Sequence, residues 1–170
     1  MTSHTSTTST IAKTPKPAPT DPAEIVEAVT ALSAALTEID GAHRRIRHRL
    51  AHDLGFSTSE LTAIFLIGST EECTPKALSA ELDLSTGAIT ALVDRLDRAG
   101  HVERIAHPTD RRSQLLTLTF RGEEAFESIA GTYNAAIEDV VKTSPCVFDQ
   151  GLIDCLRHAA TAIDAAAARD

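Results

Sequence analysis

Cysteine is scarce: Cys73, Cys146 and Cys155 are odd in number and form no Cys-x-x-Cys pair. That pattern supports neither a disulfide framework nor a zinc module, and it reads as reduced thiols in a cytoplasmic protein. Tryptophan is absent, and aromatics make up 4% of the 170 residues. Long apolar runs are missing as well. The best candidate, Ala63-Ile64-Phe65-Leu66-Ile67, falls far short of the roughly 18 to 20 residues of a membrane span, so no membrane partner is expected. Basic charge is in deficit, with 16 Lys and Arg against 24 Asp and Glu and a net charge of −8. Taken over the whole chain, this balance argues against a nucleic-acid partner, because non-specific affinity comes from neutralising phosphates. No Ser/His/Asp, Cys/His or phosphate-cradling glycine pattern sits on a plausible frame, so an enzyme is not expected, nor a cofactor.

What is present is a 42% hydrophobic content, enough for one domain with a core and too little for two ordinary ones. Residues 1–20, rich in Thr, Ser, Pro and Lys, have neither the basic nor the apolar region of a secretory signal and read as a disordered arm. Residues 21–170 read as a single domain. Asp21-Pro22-Ala23-Glu24 has the cap, first-turn proline and capping-box spacing of a helix start. From there Ile25, Val29, Leu32, Leu36, Ile39, His43, Ile46 and Leu50 step by 4 and 3, a heptad-like stripe that predicts pairing with another helix. A kink is expected at Asp40-Gly41, and a stop at Gly55.

The next segment alternates cap and stop signals. Ser57 and Glu60 repeat the capping-box spacing, Leu61, Ile64 and Phe65 supply an apolar face, and Gly68 is expected to end this helix. Thr74-Pro75 opens a third helix that closes at Asp83-Leu84, and Ser85 caps a fourth with Ile89, Leu92, Val93 and Leu96 inward, ended by Gly100. A short helix, a tight turn and a second helix opening with small polar residues make a helix-turn-helix pattern. Val102–Ile105 and Leu115–Leu118 are strand-like runs around a polar loop, His107 to Ser113, which gives a hairpin with a charged tip. Thr119 caps a fifth helix whose Phe126, Ile129, Tyr133, Ile137 and Val140 repeat until Ser144-Pro145, and Leu152, Leu156, Ala159, Ile163 and Ala166 restore the heptad-like step in the last. The fold class expected is therefore mainly α with a small β-hairpin wing. Residues 57–118 would form the winged helix-turn-helix DNA-binding lobe, and helices at 21–54 and 119–168 would build a homodimer.

A recognition helix offers its N-terminal residues to the major groove, so Ser85, Thr86, Gly87, Ala88 and Thr90 are candidate DNA contacts, with Ser85 equally readable as a plain N-cap. Arg95 is a candidate phosphate contact, although Asp94, Asp97 and the helix dipole compete for it. At the wing tip, exposed Arg111 and Arg112 suit a narrow, electronegative minor groove, and Asp110 would hold one of them by a carboxylate fork. Residues 85–121 carry six arginines against Asp94, Asp97, Glu103 and Asp110, a net of +2, while the rest of the chain is −10. A mostly acidic body would repel random DNA and leave binding to the recognition helix and wing.

The runs Leu84-Ser85-Thr86-Gly87-Ala88-Ile89-Thr90-Ala91-Leu92-Val93-Asp94-Arg95-Leu96, Ala99-Gly100-His101-Val102-Glu103-Arg104, His107-Pro108-Thr109-Asp110-Arg111-Arg112 and Leu118-Thr119-Phe120-Arg121-Gly122 resemble the MarR family of winged helix-turn-helix regulators. The resemblance covers about residues 22–168 and is strongest from 74 to 124. Ala91 stands where many members carry arginine, and Asp83 where glycine is common. It implies a triangular dimer with the wing in the minor groove, acting as a ligand-responsive repressor on a pseudo-palindromic double-stranded DNA operator. It also implies a small aromatic or amphipathic ligand between the dimerisation helices and the DNA-binding lobe.

For that ligand the candidates are His43 on the stripe and Arg47, within the basic segment from His43 to His52. His48 and His52 lie one turn apart, but no third ligand group matches them, so no metal is expected. Some members sense peroxide with a low-pKa cysteine near the start of the first helix, where this chain has none. Cys73 precedes a helix N-terminus, which favours a thiolate, while Glu71 and Glu72 oppose it. A thiol-based regulator and a winged-helix module that binds protein without DNA are the alternatives.

Overall fold

The computed structural model describes residues 20–110, 113–144 and 150–168, and these fold into six helices and one hairpin. They are α1 (Pro22–Leu54), α2 (Thr58–Ser69), α3 (Pro75–Leu82), α4 (Thr86–Arg98), β1 (Val102–Ala106), β2 (Gln114–Leu118), α5 (Phe120–Thr143) and α6 (Gln150–Ala167). The chain divides into two compact units at Arg44 and Arg45.

In the first unit, the described part of α1 begins as its residues dictate: Asp21 Oδ1 accepts the Ala23 amide at 3.0 Å, and Pro22 occupies a position that needs no donor. Its apolar residues Ile25, Val29, Leu32 and Ile39 are exposed. The kink expected at Asp40-Gly41 does not break the helix, which runs unbroken from Pro22 to Leu54. One glycine costs about 1 kcal/mol relative to alanine, which a helix of this length absorbs.

The second unit holds the core. Leu50 and Ala51 of α1, Leu61, Ala63, Ile64 and Ile67 of α2, Leu78 of α3, and Ile89, Leu92, Val93 and Leu96 of α4 are buried together. Val102, Leu116, Ala125 and Ile129 close the cluster from the hairpin and α5. β1 and β2 pair antiparallel, Val102 opposite Leu118 and Ala106 opposite Gln114. The Leu116 amide donates to the Cys73 carbonyl at 2.8 Å, which ties the wing to the segment before α3.

Most helix boundaries follow their caps. The Ser57–Glu60 capping box is formed in both directions, and Gly55 and Gly100 take positive φ of 75° and 76°, a conformation glycine adopts at little cost. Gly68 departs from expectation: α2 continues to Ser69, and the glycine instead lets the helix approach α5. A Cβ there would lie 2.6 Å from the Phe126 ring and 2.9 Å from Leu118 Cδ1. Phe65, expected inward with Leu61 and Ile64, stays partly exposed, its ring 5.8 Å from Phe126 and 6.4 Å from Tyr133. Likewise Ile137 and Val140 of α5 and Leu152, Leu156 and Ile163 of α6 are exposed. The Ser144-Pro145 break coincides with the end of α5 at Thr143, while Pro145 lies outside the described residues.

Candidate nucleic-acid interface

The turn between α3 and α4 is set by Asp83, which adopts the left-handed conformation at φ 49°, ψ 45°. Aspartate tolerates this region better than most residues. The Asp83 amide reaches the Ala80 carbonyl at 3.4 Å, the Leu84 amide the Ser79 carbonyl at 3.2 Å, and the Ser79 hydroxyl donates to the Leu84 carbonyl. Two helix N-termini thereby converge on one side of the unit. Thr74 Oγ1 accepts the Ala77 amide at 3.1 Å and Ser85 Oγ accepts the Ala88 amide at 3.3 Å, so each is an N-cap.

Between these N-termini and strand β2 lies a groove of about 630 Å³, lined by Thr74, Pro75, Lys76, Ser79, Thr86, Ile89, Thr90, Ser113 and Gln114. Both helix dipoles and their first-turn amides present partial positive charge toward it, the setting in which phosphates bind. Of the expected α4 residues, Thr86 and Thr90 line this groove, while Ser85, Gly87 and Ala88 are exposed on the same N-terminal turn. The Thr90 hydroxyl donates to the Thr86 carbonyl at 2.9 Å. A Cβ at Gly87 would meet nothing within 4 Å, so packing within the protein does not require glycine there. Lys76, Ser113 and Gln114 were missed in the sequence. Lys76 follows the Thr74-Pro75 helix start, and that adjacency was the available signal.

The arginines of the positive stretch are largely engaged inside the lobe. Arg95 Nε donates to Glu60 Oε1 at 2.8 Å, not to Asp94 or Asp97. The other Glu60 oxygen accepts both the Ser57 amide and its hydroxyl at 2.9 Å, so one carboxylate caps α2 and anchors α4. Burial would raise the Glu60 carboxyl, but the hydrogen bonds from Arg95 and Ser57 and the Arg95 charge outweigh it and hold it below its usual range. Asp94 and Asp97 instead grip Arg104 of β1, at 2.5 and 2.8 Å, which joins α4 to the hairpin. Arg98 bonds back to the Asp94 carbonyl at 3.0 Å and Arg121 to the Ala99 carbonyl at 3.0 Å.

The base of the wing explains the Leu-Thr-x-x-Gly run. Thr119 Oγ1 donates to the Gly100 carbonyl at 2.6 Å and accepts the Gly122 amide at 3.2 Å. Gly122 is needed because a Cβ would collide with the His101 backbone carbonyl. His101 itself is buried against Phe56, ring centroids 4.9 Å apart, and its Nδ1 has no partner among the described residues. Burial lowers its basicity, a hydrogen bond to the Arg121 backbone partly offsets this, and the Arg121 charge adds to it.

At the tip, His107 Nδ1 accepts the amides of Thr109 at 3.3 Å and Asp110 at 3.1 Å. The Ser113 amide donates to the Asp110 carbonyl at 3.0 Å. Arg111 and Arg112, and with them the fork expected of Asp110, lie outside the described residues.

Of the proposed ligand residues, His43 is exposed in the first unit, and Arg47 is half-buried in the second, where its charge acts on Tyr133. Burial raises the Tyr133 hydroxyl and the Arg47 charge partly offsets it. Among the described residues no group of three or more His, Cys, Asp or Glu is placed to hold a metal ion. Cys73 is buried and its thiol is pushed up by that burial, Cys155 is exposed on α6, and Cys146 lies outside the described residues. No helix among the described residues is long and apolar enough to cross a membrane.

Helices α2, α3 and α4, the tight turn between α3 and α4, and the β1–β2 hairpin define a winged helix-turn-helix fold. Residues 54–113 match the model of the MarR family. The HTH-type transcriptional regulator BilQ of Clostridium symbiosum is 34% identical over 73 residues, 43% of this chain and 51% of that protein. The uncharacterized HTH-type transcriptional regulator YcgE of Bacillus subtilis is 40% identical over 62 residues, 36% and 40% of the two chains. The chain thus spans about half or less of the length of these relatives. In fold it is similar to a MarR family protein from Bacillus stearothermophilus, with TM-score 0.62 and 18% identity over 84% of this chain and 97% of that one. A transcriptional regulator from Thermotoga maritima gives TM-score 0.57 and 22% identity over 83% and 99%.

Proposed function

We propose that the chain is a sequence-specific double-stranded DNA-binding transcriptional regulator, not an enzyme, that acts in the cytoplasm as a homodimer on a pseudo-palindromic operator. The observation that carries this reading is the groove in which the N-termini of α3 and α4 meet strand β2, with Lys76, Thr86 and Thr90 on its walls. Two helix N-termini and a lysine suit phosphates, while Ser85, Thr86, Gly87, Ala88 and Thr90 lead α4 into a major groove. Arg111 and Arg112 of the wing take the minor groove, and Asp110 holds one of them by a carboxylate fork.

Arg95 acts as a phosphate contact through the guanidinium nitrogens that Glu60 does not hold. The apolar stripes of α1 and α6 support the dimer, since Ile25, Leu32, Leu156 and Ile163 are exposed. Repression follows from occlusion of a promoter, and a small aromatic or amphipathic ligand near His43 and Arg47 relieves it. A thiol switch at Cys73 is disfavoured, because burial raises that thiol and opposes the thiolate.

Selection of bound duplexes from a random pool by the purified protein tests this reading. An enriched palindrome is expected, with half-sites about one helical turn apart and an affinity that falls linearly with log salt. Arg111→Ala with Arg112→Ala should abolish binding to the selected duplex. Unchanged binding by that double variant removes the wing from the interface, and the absence of any enriched palindrome favours a protein-binding module.

A further inference from the structure

The wing tip is held by an imidazole. His107 Nδ1 accepts two backbone amides, from Thr109 at 3.3 Å and Asp110 at 3.1 Å, with the Thr109 hydroxyl 3.4 Å away. Pro108 between them has no amide to offer. The turn is closed by the Ser113 amide on the Asp110 carbonyl at 3.0 Å and the His107 amide on the Ser113 carbonyl at 3.4 Å. Ser113 and its neighbour Gln114 are the wing's wall of the groove. Gln114 is held by its pairing with Ala106, whereas among the described residues Ser113 is bonded only to Asp110 and His107, the turn that the His107 lone pair helps to hold.

In turns this acceptor is ordinarily an Asp or Asn oxygen, which accepts across the whole accessible pH range. A neutral imidazole can do the same with the proton on Nε2, but an imidazolium carries N–H on both nitrogens and would face two backbone donors with a third. We propose that His107 is the positioning residue of the wing: in its neutral form it holds the tip against the groove, and on protonation it releases the tip and weakens the grip on DNA. The proposal rests on the DNA-binding reading above. The charged groups facing the described part of the turn are Asp110 within it and Lys76 across the groove, while Ser113 and Gln114, the first residue of β2, are neutral; Arg111 and Arg112 lie outside the described residues.

Affinity of the full-length protein for its selected duplex is measured at about pH 8 and about pH 5.5, on either side of the imidazole range. Wild type is expected to lose about tenfold more affinity on acidification than His107→Asn, whose side-chain oxygen keeps the acceptor and cannot be protonated. His107→Asn should bind within about twofold of wild type at the higher pH, whereas His107→Ala should bind about tenfold more weakly there. Parallel acid losses in wild type and His107→Asn, which His101 would also produce, overturn the proposal, as does full binding by His107→Ala. A second measurement is independent of DNA. In free wild-type protein, the Thr109 and Asp110 amide proton resonances should titrate in a step that His107→Asn abolishes. If wild type selects no duplex, the DNA-binding reading fails, and this titration still decides whether His107 holds the tip: its absence overturns that role.

Discussion

Between Leu50 and Ile129 the chain buries its apolar periodicity inside itself, whereas α1 up to Arg44 and the whole of α6 carry the same kind of periodicity into solvent. Leu61, Ile64, Leu78, Ile89, Leu92, Leu96 and Ile129 are almost fully enclosed, while Val29, Leu32, Leu156 and Ile163 are exposed and α6 buries no residue at all. The two regions differ in the width of the stripe. α4 places Ile89, Leu92, Val93 and Leu96 on one broad face and meets α2, α3 and β1. α1 and α6 carry the narrow 4-and-3 step suited to a seam with another helix. A broad face is satisfied within one globule, and a narrow seam is satisfied by the second copy that the proposed dimer supplies.

The largest expected effect is in the enclosed region. Ile129→Ala should cost about 2–5 kcal/mol in urea unfolding, since the cavity it leaves cannot collapse readily. Ile163→Ala, at a position 56% exposed, should cost less than about 1 kcal/mol at fixed protein concentration. Equal losses at the two positions would erase the distinction between core and seam.

Two glycines sharpen the same contrast at lower amplitude. Gly122→Ala drives a methyl into the His101 carbonyl and should lower stability by about 1–3 kcal/mol. Gly87→Ala enters open space in the first turn of α4 and should leave stability unchanged or raise it by up to about 1 kcal/mol, yet weaken DNA binding by crowding the phosphate backbone. A Gly87→Ala variant that binds operator normally would show that the glycine is not there for close approach.

The smallest effect is on the pH dependence of stability, and again it belongs to the enclosed region. His101 resists protonation when folded, so the unfolded chain takes up its proton first. Its contribution is complete above the ordinary imidazole value of 6.5 and is lost as pH falls from there toward the depressed folded value. Glu60, held below 4.5, adds a second loss on further acidification. The urea midpoint should therefore decline in two steps below neutrality, with His101→Phe removing the first and Glu60→Gln the second. A midpoint flat from pH 7 to about pH 5 would contradict the reading of His101.

Much of the fold was legible because caps are local chemistry. Asp21, Ser57, Thr74, Ser85 and Thr119 each announce a helix start through an oxygen a few residues from the amides it satisfies, and the structure uses all five. Gly68 misled for the same reason: a glycine near a helix end resembles a stop, and only the approach of Phe126 from α5 reveals its role as clearance. The arginines were legible as a charge but not as partners. Arg95 was read as a candidate phosphate contact for which Asp94 and Asp97 compete; it meets Glu60, 35 positions away, while those two aspartates hold Arg104. Lys76 escaped notice because its place on the groove depends on how α3 meets β2.

By itself, then, the sequence determined the order of the elements, their caps, the helix-turn-helix with its wing, and the inward face of α4. Periodicity and capping act within a few residues, and the residue types state them directly. Tertiary structure alone decided which carboxylate meets which guanidinium, why Gly68 and Gly122 must lack a side chain, and which residues share the groove between α3, α4 and β2. Those relations join residues far apart in the chain, and they exist only once the core has packed and fixed the distances between elements.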